Sequence, residues 1–517
     1  MARASMPTRR DTTGYLPIED YGLIGNMHTC ALVGIDGSID FMCWPDFDSP
    51  SLFCRLLDKD KGGHFSISPP EDVACTTKQQ YLPSSNILQT RYIHEEGVVD
   101  VVDFFPRPNE TRVLARSAKQ MPYRESVAGR EELKKWLVRR VECIRGEVDL
   151  VGPDGAGGNM ERYPGLFKTF CLQLAPLACS LLYEIIWPSD GITSLGQMGL
   201  QCQSPTDVEL FPAFDYARGE HTTEILMPEH PAGCLDSKTI TFSHKDLNLQ
   251  LDVTIDHGEE NAASCPTITF QKSKKAGMLG DGVIGKIHLR EGQAISFVLR
   301  DNIPNHVTRD VTTEILDLQQ QSTQNYWFNW ISKSKYKGRW REVINRSLMV
   351  LKLLTYEPTG AIIAAPTFSI PEAIGGGRNW DYRFCWVRDS SFTIYILLRM
   401  GFTAEADAYM DFISDRFRKS RTPEGALPIM FTIRGETEIP ELELGHLSGY
   451  RDSKPVRIGN GAAFHQQFDI YGELMDAIYL YNKYGKPVTW EQWVAVREIL
   501  DYVLTICNGM SLFSQAQ

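Results

Sequence analysis

The hydrophobic period of this chain changes once, near Val307, and that change limits the fold to a strand-forming part followed by a helix-forming part. Before it, Leu249, Leu251, Val253 and Ile255 alternate with polar residues, the pattern of a half-buried strand. Asp36-Gly37 separates LVGI from SIDFM, and Glu96-Gly97 separates LQTRYIH from VVDVVDFF, each with the spacing of a hairpin. Many short strands joined in this way predict an N-terminal β-sandwich from about Ile18 to Asn302. Beyond Val307 the repeat lengthens. A linking helix is predicted within residues 306–338, and the next helix places Trp340, Ile344, Leu348, Leu351 and Leu354 on one face before Pro358 stops it. Another runs from Phe392 to Met400 and ends at Gly401; Thr403 then caps one that carries Ala406, Met410, Ile413 and Phe417. Phe468, Tyr471, Met475 and Ile478 mark a further helix. The last opens with the capping box Thr489-Trp490-Glu491-Gln492 and presents Trp493, Val496, Leu500 and Val503. Periodicity alone therefore gives a multidomain β + α chain whose second part is all-α, and 517 residues are enough for two cores.

One stretch interrupts the strand pattern. Between Val151 and Thr206 the sequence loses alternation, although RRVECIRGEVDL and DVELFPAFDYAR on either side keep it. Joining the two flanks restores a β-segment, so residues 151–206 are read as an insertion, with a translated intron as one source. Its apolar run from Phe170 to Trp187 is broken by Gln173, Pro176 and Glu184 and stands at the short limit for a membrane span, which would also strand a lone helix inside a β-domain. No membrane role is expected. A formal charge of −12 argues against a nucleic-acid partner. The first 17 residues read as a disordered, basic tail with no apolar segment of the secretory kind behind it, so a cytoplasmic location is the expectation. The 12 cysteines show no CxxC pair or metal-type spacing, which favours free thiols.

The chemistry concentrates between Gly375 and Arg399, in GGGRNWDYRFCWVRDSSFTIYILLR: a glycine turn, an aromatic and charged cluster, then an apolar helix. Aromatic faces cover the apolar face of a pyranose while fixed Arg and Asp side chains bond its hydroxyls, so Trp380, Tyr382, Trp386, Arg388 and Asp389 form a candidate sugar-binding wall. A core aromatic cluster tied by an Arg/Asp pair is the alternative from composition alone. The stretch resembles the signature of glycoside hydrolase family 15, found in glucoamylases, glucodextranases and some trehalases. IEDYGLIGNMHTCALVGIDGSIDFMCWPDFDSPSLF, from Ile18 to Phe53, is similar to the trehalase-like N-terminal segment of such proteins, and HLSGYRDSKPVRIGN, from His446 to Asn460, resembles a motif near the pocket mouth.

The resemblance implies an N-terminal β-sandwich over residues 18–305, a linker helix over 306–338 and an (α/α)6 barrel from 339, incomplete because twelve helices are expected and about five are read. It implies that Arg388 and Asp389 hold hydroxyls of the non-reducing glucose, that Tyr382 and Trp386 line the same subsite, and that Tyr450, Arg451 and Arg457 lie near the mouth. For these last three a structural turn is the alternative. Gly445 stands where the family usually carries an aspartate. Inverting hydrolysis needs one protonated and one ionised carboxyl, roughly 6.5–9.5 Å apart. The family's two glutamates belong to motifs expected beyond Gln517, and the ending LTICNGMSLFSQAQ is read as the product of a frame shift or read-through. Of the carboxylates present, Asp381, Asp389, Glu441 and Glu443 are nearest to the motif, but the acidic loop ETEIPELELGHLSGYRD reads as a solvated surface. Two function classes stand open: a glucoside hydrolase of glucoamylase or trehalase type, releasing glucose from the non-reducing end, whose present chain is itself inactive, and a non-catalytic glucan-binding or regulatory protein. Neither requires a cofactor or metal, and the expected partner is a glucose-containing oligosaccharide or disaccharide.

Overall fold

The computed structural model describes residues 10–69, 73, 75–95, 97–108, 135–148, 206–226, 237–245, 247–258, 266–302, 311–420 and 425–514. From Tyr21 to Asp301 the described elements are almost all strands, and sixteen of them join in one antiparallel assembly. The Asp36-Gly37 signal is a real turn: it links Cys30–Gly34 to Ser38–Cys43, with Gly37 at φ +79° where a side chain would meet Tyr92 and the Ile67 carbonyl. Leu88–Ile93 likewise pairs with Gly97–Phe104. On Leu247–Asp256 the alternating Leu249, Leu251 and Val253 are fully buried.

Two parts of this sheet close on one core, in which Phe65 meets Phe297 edge to face at 6.2 Å. Arg139 ties them. It pairs with its cross-strand neighbour Asp103 at 2.7 Å and donates to the Gly37 carbonyl at 2.6 Å, with both side chains at 0% exposure. Every hydrogen-bonding group of such a pair must be satisfied for burial to be tolerated, and here the turn carbonyl takes a remaining donor.

The strands Trp136–Val148 and Thr206–Phe211 lie end to end along one edge of Gly282–Arg290. Val148 stands opposite Leu289 and Thr206 opposite Ile287, so a single register position separates strands that are far apart in sequence. Thr267–Ser273 takes the other edge. The expected insertion, with its apolar run from Phe170 to Trp187, and the N-terminal tail through residue 9 lie outside the described residues. No helix among the described residues is long and apolar enough to cross a membrane.

From Thr313 the chain is helical: α1 (Thr313–Ile331), α2 (Arg341–Leu353), α3 (Val387–Met400), α4 (Thr403–Lys419), α5 (Asp469–Tyr484) and α6 (Trp490–Ser514). The capping box of α6 is reciprocal, Thr489 and Gln492 each bonding the other's backbone amide, at 2.9 and 3.2 Å. Three expectations need correction. Helix α3 begins at Val387 rather than Phe392, because Trp386 is already extended and bonded to Met430–Phe431, which sets Arg388 and Asp389 in the first helical turn. Phe402, not Thr403, caps α4, and its ring stacks on Trp330 at 4.2 Å. Phe468, Trp493 and Leu500 are exposed, since the buried arcs of α5 and α6 run through Ile470, Leu474, Val496 and Ile499 instead.

The two regions share a core that gathers Tyr21, Leu23, Phe41 and Phe47 with apolar residues of all six helices. Charged ties cross the same boundary. Arg383, in the loop before α3, grips Asp381 at 2.7 Å and reaches the Phe47 and Ser49 carbonyls at 3.3 and 3.1 Å. Arg107 forks onto Glu357 at 2.8 and 2.9 Å.

Candidate functional site

The glycine turn, strand and helix start of residues 375–399 are pinned from the far side of the sequence. Gly375, at φ +78°, donates its amide to Ser453, and the Asn379 side chain donates to the carbonyls of Gly376, Ser453 and Pro455 at 3.1 to 3.2 Å. Asn379–Asp381 pairs with Phe368–Pro371, while Cys385–Trp386 pairs with Met430–Phe431. Trp386 and the first turn of α3 are therefore held by backbone bonds before any side chain acts.

Arg388 is the centre of the site. Its Nη1 donates to Gln467 Oε1 at 2.8 Å and to Asp469 Oδ2 at 2.9 Å, its Nε stands 3.6 Å from Asp389 Oδ2, and its guanidinium lies 5.6 Å from the centre of the Trp386 ring. Three polar atoms around it are removed from solvent and lack a hydrogen-bond partner: Asp389 Oδ2, Glu473 Oε2 and Trp386 Nε1. Burial pushes the Asp389 carboxyl above its ordinary value, with the Arg388 charge pulling the other way. Burial and then the Asp469 charge push Glu473 up as well. Tyr382 is half-buried, and burial raises its phenol, with the charges of Glu372 and then Asp389 adding to the rise.

An apolar groove of about 200 Å³ between α2 and α3 ends at Arg388 and Asp389, smaller than the ~300–1,000 Å³ of most small-molecule sites. Of the five candidates Arg388 and Asp389 line this groove and Trp386 lies under Arg388, whereas Trp380 and Tyr382 are not among its lining residues. Trp380 is the outermost, its ring covered by the Arg457 guanidinium at 4.9 Å. Arg457 is in turn fixed by the Gly377 carbonyl at 2.9 Å and by Glu441 at 3.1 Å.

Tyr450 and Arg451 face elsewhere. The Tyr450 hydroxyl, on a side chain 1% exposed, donates to the Leu16 carbonyl at 2.9 Å, and Arg451 pairs with Asp11 at 2.8 Å, so both sew the N-terminal segment onto the helical region. Asp381 is buried against Arg383, and Glu443 stands 3.5 Å from Arg457. Sequence reading missed Gln467, Asp469 and Glu473. Their signal is present: in QQFDIYGE, Asp469 and Glu473 are four apart and so share a face at the start of α5, and that face meets α3 through Asp469 and Arg388. Among the described residues no three His, Cys, Asp or Glu side chains gather as a metal ion would need, and the seven described cysteines are free thiols.

Comparison with known proteins follows the same division. Residues 338–508 match the family Glycosyl hydrolases family 15, and residues 12–135 match the Trehalase-like, N-terminal family. A trehalase of Mycolicibacterium smegmatis is 29% identical over 497 residues, covering 96% of this chain and 61% of its own length. One from Thermoplasma volcanium is 27% identical over 489 residues, covering 94% of this chain and 60% of its own. This chain thus spans about six tenths of the length of these relatives. A family GH92 alpha-mannosidase from Bacteroides thetaiotaomicron is 9% identical, with 93% of this chain and 54% of that one covered and a TM-score of 0.34, too low to assign a fold. The Arg388 site lies inside the first matched segment and Tyr21 to Phe104 inside the second, so the chain is similar to glycosyl hydrolases family 15 over its helical region and to the trehalase-like N-terminal family over its first strands.

Proposed function

We propose that this chain binds the glucose unit of an α-linked glucoside at Arg388 and Asp389, as part of a glycoside hydrolase of trehalase type with trehalose as first substrate. One observation carries the reading: Asp389 and Trp386, which stand beside Arg388, and Glu473, one helical turn after the Asp469 that Arg388 grips, each hold a buried polar atom without a hydrogen-bond partner. Donors and acceptors mixed over an aromatic face are the complement of a hydroxyl-rich ring. Tyr382 would border that ring, with Trp380 and Arg457 at the rim. Helices α2 to α6 would then be the opening part of an (α/α)6 barrel over residues 339–517, joined by a linker over 306–338 to a sandwich over 18–305.

Inverting hydrolysis requires two carboxyls about 6.5–9.5 Å apart, one to protonate the leaving oxygen and one to activate water. No such pair is assigned here. Asp381 is held by Arg383, Glu441 and Glu443 lie against Arg457, Asp469 is bonded to Arg388, and Asp389 is assigned to the glucose hydroxyls. That occupancy favours a second reading for the chain as it stands, glucoside binding without turnover.

Calorimetric titration of the whole chain with trehalose and with maltose tests the site. Saturable binding is expected, and Arg388→Ala should weaken it about ten- to a hundredfold, since a hydrogen bond from a charged group is worth about 1.5–3 kcal/mol. No binding to a folded chain would overturn the proposal. Glucose release in the same samples separates the hydrolase from the binding protein.

A further inference from the structure

We infer that Glu473 is a further sugar-binding residue, accepting a hydroxyl hydrogen bond from the same glucose unit as Asp389. The inference rests on the site proposed above and extends it to a second helix. Glu473 stands one turn after Asp469 on α5, and Asp469 is fixed to Arg388 at 2.9 Å, so Glu473 is carried on the face that meets α3. Its electrostatic neighbours are Asp469, Arg388 and Asp389.

Arg388 is engaged elsewhere. Nη1 is committed to Gln467 and Asp469, and Nε lies toward Asp389. The buried Oε2 of Glu473 accepts no bond among the described residues. A buried acceptor left in this state costs about 1–3 kcal/mol, more when charged, so a donor is wanted there. Trp386 gives an independent sign of a ligand. Its side chain is 9% exposed, it underlies the same guanidinium, and its Nε1 is also unpartnered. Unpartnered acceptors on two facing helices, together with an unpartnered indole donor, are the groups that the hydroxyls of a pyranose can satisfy.

The test is titration of the whole chain with trehalose and with its singly deoxygenated analogues, using wild type, Glu473→Gln, Glu473→Ala and Arg388→Ala. Glu473→Gln, close in shape, should keep the melting temperature and weaken trehalose binding about tenfold. The wild type should reject one deoxy analogue by about tenfold or more, because a site built for a hydroxyl is left unpaired without it, and Glu473→Ala should lose that discrimination alone. Wild-type affinity and discrimination in both Glu473 variants, with binding lost in Arg388→Ala, would overturn the role of Glu473 and leave the site standing. Absence of binding by every form would overturn both.

Discussion

The two regions of the molecule treat apolar surface differently. Among the described residues between Tyr21 and Asp301 the large apolar side chains left in solvent are Ile144, Leu226 and Leu279, whereas α3 to α6 and the loops among them leave Phe392, Tyr395, Phe464, Phe468, Tyr479, Trp490, Trp493, Leu500 and Leu504 exposed. The β region turns even its charges inward in satisfied groups: Asp40, at 0% exposure, receives Arg10, Arg55, Tyr21 and Ser38. On the helical side, Asp389, Glu473 and Trp386 each hold a buried polar atom without a partner. A region that turns its large apolar side chains inward can hold its shape alone. One that exposes apolar stripes is built to be covered or to bind, and such segments come from the low-stability end of a structure.

The strongest way to break this comparison is to cut the tie between the regions. Arg383→Ala would leave Asp381, at 0% exposure, without its cation and would remove the bonds to the Phe47 and Ser49 carbonyls. Breaking a buried pair from one side costs about 3–5 kcal/mol. Calorimetry should then show the helical transition moving below a nearly unchanged β transition. A single unshifted transition would mean that the regions do not depend on this contact.

A deletion sharpens the same contrast from the β side. Because Val148 and Thr206 are one register position apart along Gly282–Arg290, removing residues 150–205 and keeping Asp149 as the bridging residue should give one unbroken strand. On the reading of residues 151–206 as an insertion, the shorter closure should raise β-region stability by about 3 kcal/mol, since each doubling of loop length costs ~0.6 kcal/mol. Loss of the β transition in the deleted chain would show that these residues belong to the fold.

Acid should also separate the regions. His64 is fully buried, and burial, with the nearby Arg55 charge, presses its pKa down to about 3 despite the bond to Glu209. A histidine depressed in the folded state stabilises while neutral. Its contribution is complete above the unfolded value of ~6.5 and is lost as pH falls toward about 3, at up to ~1.4 kcal/mol per pH unit. His221 is depressed by burial in the same sense. Asp389 and Glu473 run the other way: their raised carboxyls favour the folded state below the unfolded value, and that contribution fades as pH rises through the folded one. Between pH 6.5 and 5 the β transition should therefore fall, and His64→Leu should flatten its slope. An unchanged slope would remove His64 from the account.

These contrasts were legible in the sequence to different degrees. Alternation at Leu249 to Ile255 and the Asp36-Gly37 turn gave strands and a hairpin because period and turn chemistry are local, as was the capping box at Thr489 and Gln492. The site was half legible. Arg388, Asp389 and Trp386 share one stretch, but Gln467, Asp469 and Glu473 arrive from α5 and the loop before it by tertiary packing, and polar residues at a helix start look like a solvated end. Tyr450 and Arg451 resembled site residues, yet their partners are Leu16 and Asp11, at the opposite end of the chain. Trp493 and Leu500 show a further limit: periodicity marks side chains that call for cover and is silent on whether a neighbour stands there.

The smallest effect follows from that last point and is a matter of association rather than stability. Trp493 is 48% exposed and Leu504 59% exposed on α6, so neither contributes much burial to the folded chain. Replacing both by Gln should change the melting free energy by no more than about 0.5 kcal/mol per site, the usual range for surface positions. Contiguous exposed apolar residues nonetheless drive contact between molecules, and removing two of them should lower the weight-average mass seen by sedimentation at high concentration. Leu226→Gln is the matched control, since Leu226 is 52% exposed and, among the described residues of the β side, is joined only by Ile144 and Leu279 as a large exposed apolar side chain. An equal fall in association for Leu226→Gln, or none for the α6 double variant, would mean that the uncovered helical face is no stickier than the sheet.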